Sequence, residues 1–240
     1  MSEILYDWSA ARSLSDWKFE GNGEMLADKD GALHVRTFNC GPLRRTSNAW
    51  LHKLDLPDAF EVEWSYRNGS ETNAVIHDEG VMLVFNAQPV ALKDLFEDPR
   101  PHARYSDLHS YWKMVMYTCG FFRTPYGGPD QLRKLGGKVP MTWGESNLTA
   151  EDGTDFQALT IVARADEPTT EADRGKTQQY KLQHSGNRIQ FWCNGQQVID
   201  WKDEGQYRYW REPLVGGKMA FRQFNGYMDN WYDKVLVRKL

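Results

Sequence analysis

His109, Tyr111, Lys113 and Tyr117 fall within one short stretch of the 240-residue chain, Tyr105 and Arg123 flank that stretch, and Arg222 lies far downstream. Imidazole and phenol groups carry protons, and a guanidinium neutralises a carboxylate with two parallel hydrogen bonds. These types make up the toolkit of β-elimination beside a carboxylate: a base for the adjacent proton, an acid for the leaving oxygen and a cation for the carboxylate charge. Hydrolysis of a glycosidic bond asks instead for two carboxyl groups about 5 to 10 Å apart. Glu61 and Glu63 have a suitable spacing for such a pair, and they fit an ordinary solvent-facing pleat equally well. Flat rings are the other notable resource, since the chain holds ten Trp and an indole suits a ligand that is apolar on its faces and polar at its rim.

Strands must position these groups, because period-two alternation and aromatic or β-branched runs recur between Gly, Asn and Asp clusters. In Phe60 to Arg67 the residues Phe60, Val62, Trp64 and Tyr66 share one pleat face, opposite Glu61, Glu63, Ser65 and Arg67. Val81 to Ala87 is apolar on both faces, the pattern of a central strand covered on both sides. Further strands are expected over 33–38, 111–122, 159–165, 180–184, 188–193, 197–202, 218–224 and 231–238, with the first and last of these near each other. Ser185-Gly186-Asn187 and Asn194-Gly195 read as hairpin turns. Val90 to Phe96 offers at most a turn or two of helix, while Thr124 to Ser146 and Asp166 to Lys176 have loop composition. No repeat or linker separates two cores, so the expectation is one all-β sandwich of two antiparallel sheets spanning residues 1–240.

Composition narrows the partners. With 33 acidic against 29 basic residues, a net charge of -4 and no basic run, the chain is not expected to bind nucleic acid. No segment approaches the apolar length of a membrane span. Cys40, Cys119 and Cys193 are too scattered for a disulfide framework or a metal motif and read as reduced thiols. No compact run of oxygen ligands demands calcium, and neither a metal nor another cofactor is expected. The opening stretch carries acids and lacks the order of a secretory signal, which gives a cytoplasmic expectation. The sequence leaves the oligomeric state open.

The stretch Arg188 to Trp201, followed by Gly217 to Gln223 and a final aromatic strand, resembles the C-terminal half of the concanavalin A-like lectin/glucanase sandwich. More narrowly, Asp16 to Gly21, Asp94-Leu95-Phe96 with Pro99, His109-Ser110, Phe122-Arg123, Leu132-Arg133-Lys134 and Gly217 to Gln223 are similar to the YesU-like bacterial family, linked to rhamnogalacturonan use. Leu108 departs from that pattern, where an aromatic residue is expected, and so does the absence of Gly-Asp after His109.

The resemblance implies a curved sheet with a sugar-binding groove and a carbohydrate-active enzyme on an acidic, pectin-like oligosaccharide. The compact E-x-D-x-x-E strand motif of the glucanases is missing, which points to a lyase in which His109 or Tyr111 moves the proton and Arg222 holds the carboxylate. Tyr105, Lys113, Tyr117, Arg123, Trp143, Trp210 and Gln223 are the expected substrate contacts. Two alternatives stay open: a hydrolase using a carboxylate pair, and a sugar-binding protein without turnover. Each residue also has a plainer reading: Arg222 paired with Glu61 or Glu63, His109 as a hydrogen-bonded structural residue, and Arg133 and Lys134 as solvated loop charges. Pleat arithmetic sends Val115 and Tyr117 toward the groove and Met114 and Met116 to the core, and it separates Arg222 from Gln223 unless a bulge intervenes. Trp17, Trp64 and Trp112 read as packing residues.

Overall fold

The computed structural model describes residues 2–21, 23–38, 46–69, 81–90, 95–96, 114–122, 131–136, 141–143, 148–150, 161–164, 175–207, 210–224 and 228–240. Along the chain they form β1 (Ile4–Asp7), β2 (Trp17–Gly21), β3 (Gly23–Ala27), β4 (Leu33–Thr37), β5 (Thr46–Leu51), β6 (Ala59–Asn68), β7 (Val81–Pro89), β8 (Met114–Phe122), β9 (Gln131–Gly136), β10 (Met141–Trp143), β11 (Leu148–Ala150), β12 (Ile161–Arg164), β13 (Gln178–Ser185), β14 (Arg188–Cys193), β15 (Gln196–Lys202), β16 (Lys218–Phe224) and β17 (Met228–Lys239). A single-turn helix, α1 (Trp8–Ala11), follows β1, its first turn capped by the Asp7 carboxylate accepting from the Ser9 N–H.

The strands build an all-β, concanavalin A-like sandwich. An eight-stranded sheet runs β15-β14-β13-β6-β17-β4-β3 with β1 also on β17, and a seven-stranded sheet runs β12-β9-β8-β7-β16-β5-β2. Their strand pairs are antiparallel, and β10 pairs β11 apart from both sheets. The expected neighbours at the two ends of the chain meet as β4 on β17, with His34 opposite Trp231. Both turns close as the sequence requires: Asn194 and Gly195 have φ of 48° and 83°, the left-handed pair of a type I′ hairpin, and Asn194 carries that φ because its short amide tolerates it.

Aromatic rings hold the sheets together. Trp64 of β6 lies 5.1 Å from Phe121 and 6.0 Å from Phe221 across the interface, and 5.5 Å from Tyr180 on the neighbouring strand. Phe221 stacks on Tyr232 at 3.9 Å. Such ring pairs contribute about 0.5–1.5 kcal/mol each beyond their buried area. Trp64 is a buried packing residue, as its pleat position predicts, Trp17 and Trp8 are buried in the same core, Trp50 is buried on the outer side of the seven-stranded sheet, and Trp112 lies outside the described residues.

Two expectations fail here for physical reasons. On β8 the faces are the reverse of those read from the sequence. Val115, Tyr117, Cys119 and Phe121 point between the sheets, while Met114 and Met116 lie on the outer side with Trp50, Val84, Leu95 and Tyr207. Both sides of the strand are covered, so apolarity could not distinguish them, and Tyr117 enters the core because its hydroxyl finds buried partners. The segment 124–146, expected as loop, contains β9 and β10. Its alternation was masked because Lys134, a residue type rarely buried, occupies the inward position between Leu132 and Leu135.

Candidate functional site

Cross-strand register places one set of side chains on the outer face of the seven-stranded sheet. One row runs Glu20, Asn48, Arg222 and Met82 across β2, β5, β16 and β7. The next runs Lys18, Trp50, Ala220, Val84, Thr118 and Arg133, reaching β8 and β9. Residues directly opposite each other in an antiparallel pair share a face, so one surface carries a guanidinium at each of two places, an amide, a hydroxyl, a carboxylate and an indole.

The side chains on this surface are held. The Trp50 indole N–H donates to Glu20 Oε2 at 2.6 Å, and its ring meets Phe96 edge-on at 5.8 Å. Lys18 Nζ sits 4.7 Å over the Phe96 ring. Arg222 is 3% exposed and Asn48 8%, so both are buried, whereas Arg133 and Glu20 are half-buried. Arg133 donates from Nε and Nη2 to Gln131 Oε1, at 3.2 and 2.8 Å. Leu95, Phe96, Tyr207 and Trp210 pack against the apolar part of the same face.

Of the residues expected from sequence, Arg222 lies on this face, and Trp210 is partly buried at its margin. Gln223 does not share the face. It is fully buried and reaches across the sandwich, donating from Nε2 to the Val35 carbonyl at 3.3 Å, because no bulge reverses the pleat between it and Arg222. Tyr117 is likewise no groove residue. Its hydroxyl donates to Asp203 and accepts from the Leu214 N–H at 3.1 Å, and burial together with the Asp203 hydrogen bond pushes its pKa well up. Trp143 contributes backbone to β10 opposite Leu148, but its side chain lies outside the described residues, as do Tyr105, His109, Tyr111, Lys113 and Arg123 altogether. Asn48, Trp50 and Glu20 were missed, and Arg133, read from sequence as a solvated loop charge, is half-buried on β9. The available signal was the alternation of Asn48 and Trp50 with Ser47, Ala49 and Leu51, whose small or apolar members face inward.

The carboxylate pair is on the wrong sheet for hydrolysis at this face. Glu61 and Glu63 lie on the eight-stranded sheet, where Arg238 bonds both at 2.6 and 2.7 Å and Lys234 bonds Glu63 at 2.6 Å. Burial raises the Glu63 pKa, but the hydrogen bonds and charges of Lys234 and Arg238 outweigh it and hold the group down at about 2. A general acid must keep its proton near neutral pH, and Glu63 does not. These partners also remove the Arg222–Glu61/Glu63 pairing as an account of Arg222. On the same sheet Trp231 is no sugar platform, because the His34 ring stacks on it at 4.3 Å and the Arg67 guanidinium covers it at 4.5 Å. Lys134 is not solvated: it is fully buried and paired with Asp203 at 2.5 Å.

Comparison with known proteins places this geometry in context. A family model described as a domain of unknown function, DUF1961, matches residues 3–236. A curated relative, the uncharacterized protein YesU of Bacillus subtilis (strain 168), is 25% identical over 214 residues, covering 88% of this chain and 83% of the relative. A crystal structure of a protein of unknown function with a galectin-like fold from Bacillus subtilis superposes with a TM-score of 0.71 at 21% identity, over 99% of this chain and 96% of that one. The carbohydrate-binding module CBM66 from Bacillus subtilis superposes with a TM-score of 0.53 at 12% identity, over 93% and 96% of the two chains.

Proposed function

The chain belongs to the DUF1961 family, and from that premise we propose that it recognises a uronate-containing, pectin-like oligosaccharide on the outer face of the seven-stranded sheet and cleaves it by β-elimination. The row Glu20–Asn48–Arg222 beside Trp50 carries this reading, since it sets hydrogen-bonding groups for hydroxyls next to a buried cation and an aromatic ring. The fold shared with a carbohydrate-binding module supports it. In the reaction, a base takes the proton on the carbon next to the uronate carboxylate, a double bond forms as the glycosidic C–O bond breaks, and the leaving oxygen takes a proton. Arg222 neutralises the carboxylate charge that grows in this step, and His109 and Tyr111 are the residues proposed to move the protons.

A second reading, recognition without turnover, is supported by Glu20, which the Trp50 N–H engages as an acceptor. One panel separates the readings. Uronate oligosaccharides are titrated into the protein by calorimetry, and the same mixtures are followed by ultraviolet absorbance of the unsaturated product. Binding with rising absorbance is expected, and Arg222→Gln is expected to weaken binding about tenfold or more, the scale of a charge-assisted pair. Binding with flat absorbance rejects the lyase, release of reducing ends with flat absorbance indicates a hydrolase, and absence of binding across the panel rejects the reading entirely.

A further inference from the structure

The residues leading into β16 read Glu212-Pro213-Leu214-Val215-Gly216-Gly217. Proline has no N–H for a ladder, and Gly216 and Gly217 take φ of 71° and 84°, outside the strand region. This stretch therefore cannot pair as a regular strand, and its backbone groups need other partners. Side chains supply them in sheet order. Lys134 of β9 donates to the Glu212 carbonyl at 2.7 Å, and the Tyr117 hydroxyl of β8 accepts from the Leu214 N–H at 3.1 Å. On β7, Gln88 donates to the Val215 carbonyl at 2.5 Å and Asn86 to the Gly216 carbonyl at 2.8 Å. β9, β8, β7 and β16 are successive neighbours in the seven-stranded sheet, and Tyr117 lies directly opposite Lys134. The crossing stretch is thus tied to one strand after another on its way to β16.

These ties are built into the fold. Lys134, Tyr117 and Asn86 are fully buried. Asn86 has a φ of 50° in a bulge, where β7 fits Phe85 and Asn86 opposite Met219 alone. A buried non-glycine residue in the left-handed region persists where its surroundings hold it, and here its amide bonds the crossing stretch. Upstream, Asp203 accepts from Lys134 and Tyr117, and its N–H donates to the Asn187 carbonyl at 2.8 Å. Between these anchors lie Tyr207 and Trp210. Tyr207 is 1% exposed and packs with Trp50, Val84, Met116 and Ala220 on the outer side of the sheet, and the Trp210 N–H donates to the Tyr207 carbonyl at 3.2 Å. We propose that Lys134, Tyr117, Gln88 and Asn86 are positioning residues: by fastening Asp203 and the backbone of 212–216 they set Tyr207 and Trp210 against the outer side of the seven-stranded sheet. That placement belongs to the free protein, and its consequence for affinity rests on the uronate-binding reading above.

Amide hydrogen exchange, followed by nuclear magnetic resonance, reads the placement without a ligand. Tyr117→Phe removes the hydroxyl acceptor, and Asn86→Gly removes the amide donor while easing the backbone. Each is expected to speed exchange at the Leu214 and Trp210 N–H groups about tenfold relative to Val62 and Val237 of the other sheet. Lys134→Met/Asp203→Leu separates positioning from stability: its unfolding midpoint should recover relative to Lys134→Met, while Leu214 and Trp210 stay fast. A calorimetric titration with a trimeric uronate oligosaccharide should then show affinity lowered about fivefold or more in Tyr117→Phe, because the loosened rings must be ordered again on binding. Equal acceleration in both sheets, or protection of Leu214 and Trp210 restored in the double variant, overturns the positioning role. Faster exchange confined to these amides, with no binding of the trimer by wild type, supports the positioning role and overturns the uronate reading.

Discussion

Lys134→Met is expected to lower folding stability by about 3–5 kcal/mol, the scale for breaking a buried ion pair on one side. The Lys134 ammonium is fully buried and reaches Asp203 Oδ2 at 2.5 Å and the Glu212 carbonyl at 2.7 Å. Asp203 in turn accepts from the Tyr117 hydroxyl and from the Gly205 N–H, at 3.1 Å for the latter. Burial lowers the Lys134 pKa, and the hydrogen bond and charge of Asp203 oppose that shift. Removing the lysine strands a carboxylate in the interior, whereas removing both charges does not. The double variant Lys134→Met/Asp203→Leu should therefore recover much of the loss, and urea unfolding of the two single variants and the double variant measures the coupling. The same cluster anchors Asp203, Glu212 and Leu214, and Tyr207 and Trp210 at the margin of the candidate site lie between them in sequence. An additive cycle would show that the pair does not act as a unit.

The second large effect is acid destabilisation through His184. This imidazole is fully buried among Phe60, Phe85 and Tyr117, and burial brings its pKa down from 6.5 to about 4. The unfolded chain takes up a proton near the ordinary value, while the folded chain resists until about pH 4. Stability from this group is thus fully present above about pH 6.5 and is lost progressively as pH falls toward 4, amounting to roughly 2–3 kcal/mol by about pH 4.5. His184→Leu keeps an apolar side chain of similar bulk and cannot titrate, so its stability should change less over that interval. Urea midpoints of both proteins at about pH 7 and about pH 4.5 make the comparison, and parallel losses would contradict it. Glu63, whose pKa is held at about 2, contributes through a different window. Its ion pairs are fully formed above the ordinary carboxylate value and fail only as the pH falls through about 2.

The framework was legible wherever one face of a strand is apolar and the other polar. β6 shows this most plainly, with Phe60, Val62, Trp64 and Tyr66 inward and Glu61 and Glu63 outward in a salt-bridged row. The Asn194-Gly195 turn was legible because its left-handed backbone suits few other pairs. Strands covered on both sides gave no such contrast, which is why β8 was read with its faces exchanged. β9 escaped because the inward lysine has its partner, Asp203, 69 residues away in sequence. On the candidate face, Arg222 was singled out from sequence, whereas its row mates Glu20 and Asn48 come from β2 and β5, and their convergence depends on a sheet order that local pattern does not encode. The Trp surplus divides along the same lines: Trp8, Trp17 and Trp64 fill the space between the sheets, and Trp50 is buried on the outer side of the seven-stranded sheet, at the candidate face.

The central claim is that the outer face of the seven-stranded sheet is where an acidic oligosaccharide binds. Titrating a uronate oligosaccharide into isotope-labelled protein and mapping the nuclear magnetic resonance shifts tests it most directly. The expected result is that the Trp50 indole N–H, the Asn48 amide and the Arg222 and Arg133 side chains move together, while Trp231, Lys181 and Gln183 on the opposite sheet stay still. Shifts concentrated on that opposite sheet, or none at saturating ligand, would contradict it.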